Sequence, residues 1–275
     1  MKVITFDVEH GSSHLIRTPN DQVIMIDAGN TENFSPAFYI RNAWKITNVR
    51  WFTVTHHDAD HLRDIGNIAK YLAVQTLHTS DVTIEQLQVL YNNVFSPSLE
   101  EFLEYKKRFN IPAPPMSDPS YNWGGVQFAT FQNNFTDFAN PNINDLSIVT
   151  FAQYMGWIFI FPGDLEVPGW KKLLEKQEFI EWLKRVDIFI ASHHGRESGF
   201  CDEVFKYCFP KLVIMSDKSL SVTSCPDKYY PFVRGLSVVN PAGERNMRYI
   251  LTTRSDGAIV IYIDPQGRYQ ISTSN

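Results

Sequence analysis

Residues 54–65 read VTHHDADHLRDI, with three histidines and two aspartates between His56 and His61. Imidazole and carboxylate are the side chains that hold divalent cations in proteins. In an extended or turning loop, alternate positions 56, 58 and 60 point the same way, and residue 61 begins a helix. One cation can then be gripped by His56 and Asp58, and a second by Asp60 and His61. A hundred residues on, FPGDLE (161–166) carries another exposed carboxylate, Asp164, after the tight turn that Gly163 permits. A carboxylate bridging two cations holds them ~3.5–4 Å apart. VDIFIASHHG (186–195) ends in His193 and His194. Five of the eight histidines therefore fall in two loops. A lone histidine is more often structural than a ligand, but clustering at strand ends reverses that expectation.

These loops need rigid strands behind them. VITFDV (3–8), HLIRT (14–18) and QVIMIDAG (22–29) read as three strands joined by tight turns. VRWFTVT (49–55) is a buried strand that delivers the His56–His61 cluster. VQFATF (126–131), LSIVTFAQY (146–154), WIFIFPG (157–163), VDIFIA (186–191) and KLVIMS (211–216) are further strands, and GAIVIYID with RYQIST forms a closing hairpin. Helices are expected over 35–45, 61–72, 83–110, roughly 200–208, and from Pro168 through GWKKLLEKQEFIEWLKR. Residues 111–120 hold four prolines and must be a loop. The order suggests one domain over 1–275, two helix-flanked sheets with the site between the halves, and an excursion around 80–125.

The composition narrows the function classes. A net charge of -5 gives no electrostatic case for a nucleic-acid footprint, although local patches remain candidates: Lys106-Lys107-Arg108, Lys171-Lys172 and Arg245 with Arg248. The three cysteines are odd in number and include no CxxC pair, which argues against a disulfide framework or a cysteine-based zinc site. No apolar run approaches the ~20 residues that span a bilayer. Acidic residues interrupt the N-terminal apolar stretch, so it reads as the first strand, and the expected location is cytoplasmic with no membrane partner.

The constellation resembles the metallo-β-lactamase superfamily, whose motif H-x-H-x-D-H appears here as His56-His57-Asp58-Ala59-Asp60-His61. Aspartate at the second metal-binding position is similar to the branch typified by the soluble hydrolase domain of the DNA-uptake protein ComEC. Along most of the chain, FDVEHGSSHLI, QVIMIDAG, NDLSIVT, FPGDLE, IASHHGRES and TTRSDGAIVIYID resemble that branch's motifs in order. The resemblance implies an αββα four-layer sandwich with a binuclear metal site at its edge. It implies His56, Asp58, Asp60, His61, Asp164 and one of His193 and His194 as ligands, His193 being the first choice and His194 supporting the ligands from behind or facing substrate. Asp60, Asp164 and His194 are the expected catalytic residues. No histidine lies between His78 and His193 to complete the first metal site, so Asn144 and Asp145 are candidates, beside the reading of both as a turn and strand cap. Asp7 and Asp27 look like supports for ligands. The branch's acidic turn is here Glu9-His10-Gly11-Ser12, with His10 a surface or pocket-edge residue, and its GHP segment is TSCPDKYY, leaving Asp217 and Lys218 as weak substitutes.

The expected activity is metal-dependent phosphodiester hydrolysis, with hydroxide bridging two divalent ions and nucleic acid or nucleotide as substrate. Carboxylate in place of one imidazole hardens the site and shifts preference from zinc toward manganese or magnesium; two divalent ions are expected, manganese or zinc first, with magnesium a third candidate. Hydrolysis of a small ester, lactam or nucleotide is the alternative, with Tyr121, Trp123, Phe135 and Phe138 walling a pocket or forming ordinary core. A non-catalytic, metal-stabilised interaction module is the third reading.

Overall fold

A computed structural model describes residues 1–217 and 223–275. Among these, the strands form two large sheets and a short parallel pair. The first large sheet has nine strands, and its middle is Ile259–Ile263, Lys2–Thr5, His14–Arg17, Val23–Ile26 and Trp51–Val54 in that spatial order. The second has six strands, with Leu212–Met215, Ile188–Ile190, Trp157–Phe161 and Val149–Tyr154 side by side.

Alternation along the strands makes the layers. In Val23–Ile26, Ile24 and Ile26 face the core between the sheets, while Val23 and Met25 face helices. In Trp157–Phe161, Phe159 and Phe161 enter the same inter-sheet core, and Ile158 and Ile160 face helices on the far side. All four residues of Val23–Ile26 are buried, which is why the sequence shows a continuous apolar run there. Three apolar layers between helix, sheet, sheet and helix give the αββα sandwich.

Helices are shorter than their sequence periodicity suggests. The expected helix over 83–110 is two, Ile84–Leu90 and Pro97–Lys106. Asn92 and Asn93 adopt left-handed backbone between them, and Pro97 occupies the first turn of a new helix capped by Ser96. Both helices bury apolar faces, through Leu87, Leu99 and Phe102, on the outer side of the nine-stranded sheet. The stretch after Pro168 is likewise split into Val167–Leu173 and Gln177–Leu183, and 202–206 is a 3-10 turn. In 61–72 only Ile65–Tyr71 is α-helical, because a 3-10 turn, Ala59–His61, comes first. Strands Leu236–Val239, Arg245–Arg248 and Ile250–Thr252 had no clear sequence signal. Arg245–Arg248 is polar and lacks a buried residue, so only its pairing with Leu236–Val239 defines it. Tyr121 and Trp123 pack around Trp51 at the inter-sheet core, and Phe135 and Phe138 join the helix-side core. No helix among the described residues is long and apolar enough to cross a membrane.

Candidate metal centre

Parallel strands bring the chemistry to one edge. Val23–Ile26 and Trp51–Val54 run side by side and end at Asp27 and at the 56–61 loop. Trp157–Phe161 and Ile188–Ile190 are parallel in the other sheet and end near Asp164 and at His193–His194. Loops beyond the carboxyl ends of parallel strands are where such folds place ligands. Gly163, at φ 59, permits the turn before Asp164; a Cβ there would stand 2.8 Å from Thr55 Cβ. Gly29 permits a three-way backbone contact, since its Cβ would lie 2.8 Å from Ser12 N and 2.9 Å from Asp60 O.

Asp60, His61, Asp164 and His194 each bring a ligand atom into a cluster in which these atoms lie within 4.8 Å of one another. His61 Nε2 is 3.1 Å from Asp164 Oδ1, and His194 Nε2 is 3.2 Å from Asp164 Oδ2 and 3.3 Å from Asp60 Oδ2. His56 Nε2 approaches the same carboxylate, 4.0 Å from Asp164 Oδ2 and 3.6 Å from Asp58 Oδ2. The Nε2 atoms of His56, His61 and His194 are buried yet make no hydrogen bond. Buried polar atoms are nearly always paired. Three imidazole nitrogens that face carboxylates without a hydrogen bond suit a cation, and the cluster is able to bind metal.

The charge state fits the same picture. Burial opposes protonation of His194, but Asp164 and Asp60 outweigh it and raise its pKa to about 9. For His61 too, burial is overcome by Asp164 and Asp27, and its pKa is well above the ordinary histidine value. Burial opposes ionisation of Asp164 and Asp60, yet the neighbouring histidines hold both below the ordinary carboxylate range. Asp58 follows the same rule: burial is offset by His56 and by Tyr91, whose hydroxyl donates to Asp58 Oδ1 at 2.9 Å.

Asp27 is the support expected of it by position. Its carboxylate lies 2.8 Å from His61 Nδ1 and accepts from Thr55 N at 2.8 Å. Asp7 has no such place; its Oδ1 accepts from Glu9 N at 3.4 Å. His57 points away from the cluster, with Nε2 3.2 Å from Thr79 Oγ1 and its ring against Phe102. His193 and His194 both sit in left-handed backbone, φ 50 and 57, so consecutive side chains diverge. His194 enters the cluster. His193 Nε2 is 3.7 Å from Asp164 Oδ2, while its Nδ1 faces Glu166 at 3.1 Å and Ser198 at 2.9 Å.

Asn144 donates to Glu166 at 3.4 Å, and Asp145 accepts from Gly169 N at 2.8 Å, so Asp145 serves the first turn of helix Val167–Leu173. Asp217 is buried, accepting from Ser224 and pairing with Arg254 at 3.1 Å; Lys218 lies outside the described residues. Lys107, Lys171, Lys172 and Arg248 pair with nearby acids. A cavity of about 420 Å³, lined in part by His78, Ser80 and Lys106, includes none of the cluster residues. Sequence reasoning missed Tyr91, Thr55, Glu166 and Arg196. Glu166 and Arg196 stand two residues beyond flagged positions; Tyr91 is 33 residues from Asp58 and only the fold joins them.

The sequence model of the metallo-beta-lactamase superfamily matches residues 6–159, more than half of the chain and inclusive of the whole 56–61 cluster. The chain belongs to the metallo-beta-lactamase superfamily. Solved structures agree on the fold. The metallo-beta-lactamase fold protein YhfI from Bacillus subtilis is 12% identical with a TM-score of 0.51, covering 94% of this chain and 99% of its own. A diphosphatase from the PhnP family is 12% identical with a TM-score of 0.51, covering 96% and 98% respectively. A mutant of the β-hydroxylase CmlA is 11% identical with a TM-score of 0.54, covering 94% of this chain and 53% of that one. At these identities the likeness is one of fold. No curated protein matches the sequence.

Proposed function

We propose that this superfamily member is a metal-dependent phosphodiesterase of the ComEC-like branch, acting on nucleic acid or nucleotides. The observation that carries the reading is the cluster of Asp60, His61, Asp164 and His194, whose buried imidazole Nε2 atoms face carboxylates without a hydrogen bond. Asp60, His61, Asp164 and His194 would hold one divalent ion, and His56, Asp58 and Asp164 a second; His193, whose Nε2 accepts from Arg196, stands outside the donor set. When bound, the ions supply Lewis acidity and activation of water near neutral pH.

The protein's own groups do the rest. Asp27 accepts from His61 Nδ1, which leaves Nε2 free to act as donor atom. Tyr91 fixes Asp58, and Thr55 ties the 55–61 loop to Asp27. Asp164 and Asp60 flank His194 Nε2 at 3.2 and 3.3 Å and hold the ring facing the cluster. The oxygen-rich donor set, with Asp58 where the common motif has histidine, shifts preference from zinc toward manganese or magnesium. A fold that also carries a diphosphatase accommodates phosphorus chemistry. The test is a matrix of metals against DNA, RNA, cyclic nucleotides, carboxylic esters and lactams, with Asp164→Ala as control. Carbonyl hydrolysis without phosphodiester hydrolysis would overturn the reading.

A further inference from the structure

Arg196 stands at the rim of the cluster, and its partners are unusual for an arginine. Its Nη2 donates to His10 Nε2 at 2.8 Å and its Nη1 to His193 Nε2 at 3.2 Å. Among the described residues it has no carboxylate within ion-pair distance. The neighbouring acids are engaged elsewhere: Glu166 with His193, Glu197 with Lys228, and Asp60 with His194. Imidazole nitrogens orient a guanidinium but leave its charge uncompensated. Guanidinium carries five N–H donors, and Nε–H here is buried without a partner. An obligate donor also fixes the roles around it. His10 Nε2 must accept from Arg196, so its 3.3 Å approach to Asp60 Oδ2 is not a hydrogen bond.

We propose that Arg196, oriented by His10 and His193, forms an anion subsite that takes the non-bridging oxygens of a phosphate ester at the metal centre. A planar fork with unmet donors suits two oxygens of phosphate bidentately, and a burial-weakened dielectric strengthens the pairing. A neutral ester or lactam would leave the guanidinium uncompensated. The subsite thus makes Arg196 a specificity residue for charged substrates. This rests on the phosphodiesterase reading above and refines it.

The test uses the full chain loaded with manganese, as wild type, Arg196→Gln and Arg196→Lys. Calorimetry measures affinity for inorganic phosphate, and kinetics measures kcat and KM for bis(p-nitrophenyl) phosphate and for p-nitrophenyl acetate. Arg196→Gln is expected to weaken phosphate binding and raise the diester KM about ten- to a hundred-fold, the range of a lost charge-assisted hydrogen bond. The KM for any acetate hydrolysis stays unchanged, and Arg196→Lys recovers part of the loss. Thermal melting of the variants shows whether each is folded, and Arg196→Lys keeps the test open if the glutamine variant is not. Unchanged phosphate affinity and diester KM in folded Arg196→Gln, with an active wild type, overturns the subsite and leaves the proposed function standing. A wild type that cleaves the acetate but not the diester overturns both.

Discussion

Asp27→Asn separates the shape of the site from its proton arrangement. The two side chains are nearly isosteric, and Asp27 is fully buried, so little repacking is expected. The aspartate accepts from Thr55 N at 2.8 Å and lies 2.8 Å from His61 Nδ1. An ionised carboxylate only accepts, so Nδ1 of His61 carries a proton and Nε2, 3.1 Å from Asp164, is the atom a metal would take. In the variant, the amide oxygen keeps the Thr55 bond while the NH₂ group faces Nδ1. Donor then meets donor, and the imidazole relieves this by moving its proton to Nε2, where it blocks the ion. Loss of such a support reduces metal affinity about 10–100-fold, or roughly 1.4–2.7 kcal/mol. Fold stability falls by about 1.5–3 kcal/mol for the charged hydrogen bond. Competition against a chelating zinc indicator reads the first effect, and urea unfolding of the metal-free protein reads the second. A variant that unfolds like wild type and binds metal as tightly would refute the tautomer argument.

Other outcomes follow from the same geometry. Metal uptake at pH 7 should release protons, because His194 is raised to about 9, His61 is raised well above the ordinary histidine value, and both must lose a proton to bind; apparent affinity should rise with pH until about 9, measured by calorimetry in buffers of different ionisation enthalpy. His14, whose pKa burial lowers to about 4, is bonded to Thr5 and Ser12 at 3.0 Å. Its contribution is complete above pH 6.5 and lost as pH falls toward about 4, a loss on the order of 3 kcal/mol that His14→Gln should abolish in acid unfolding curves. Gly163→Ala forces left-handed backbone and a 2.8 Å contact with Thr55, so it should lower stability by about 1–3 kcal/mol in urea and reduce metal content. His57→Gln should leave metal stoichiometry unchanged by atomic absorption, since His57 faces Thr79 and Phe102.

Much of this was legible in the sequence because it is local. The run QVIMIDAG announces a strand covered on both sides, and the clusters at 56–61 and 193–194 announce strand-end donors. What was not legible depends on tertiary contact. Periodicity alone joined Ile84–Leu90 to Pro97–Lys106, although the turn at Asn92 and Asn93 separates them. The spacing of His193 and His194 left open which enters the cluster, because two consecutive left-handed residues turn the pair by an amount no pattern encodes. Tyr91 reaches Asp58 from a helix–turn segment that carries no motif, and Arg196 gains its meaning only where His10 approaches from the other end of the chain.

The site draws its donors from both sheets: Asp60 and His61 follow a strand of the nine-stranded one, and Asp164 and His194 follow strands of the six-stranded one. Neither half of the chain holds a complete set of donors. An ion that touches both is a reporter of assembly, acquiring its full affinity only after the sheets have docked face to face. Spectroscopically visible cobalt added during refolding would therefore time the closing of the sandwich, an event far from the surface that backbone probes of either sheet register only indirectly.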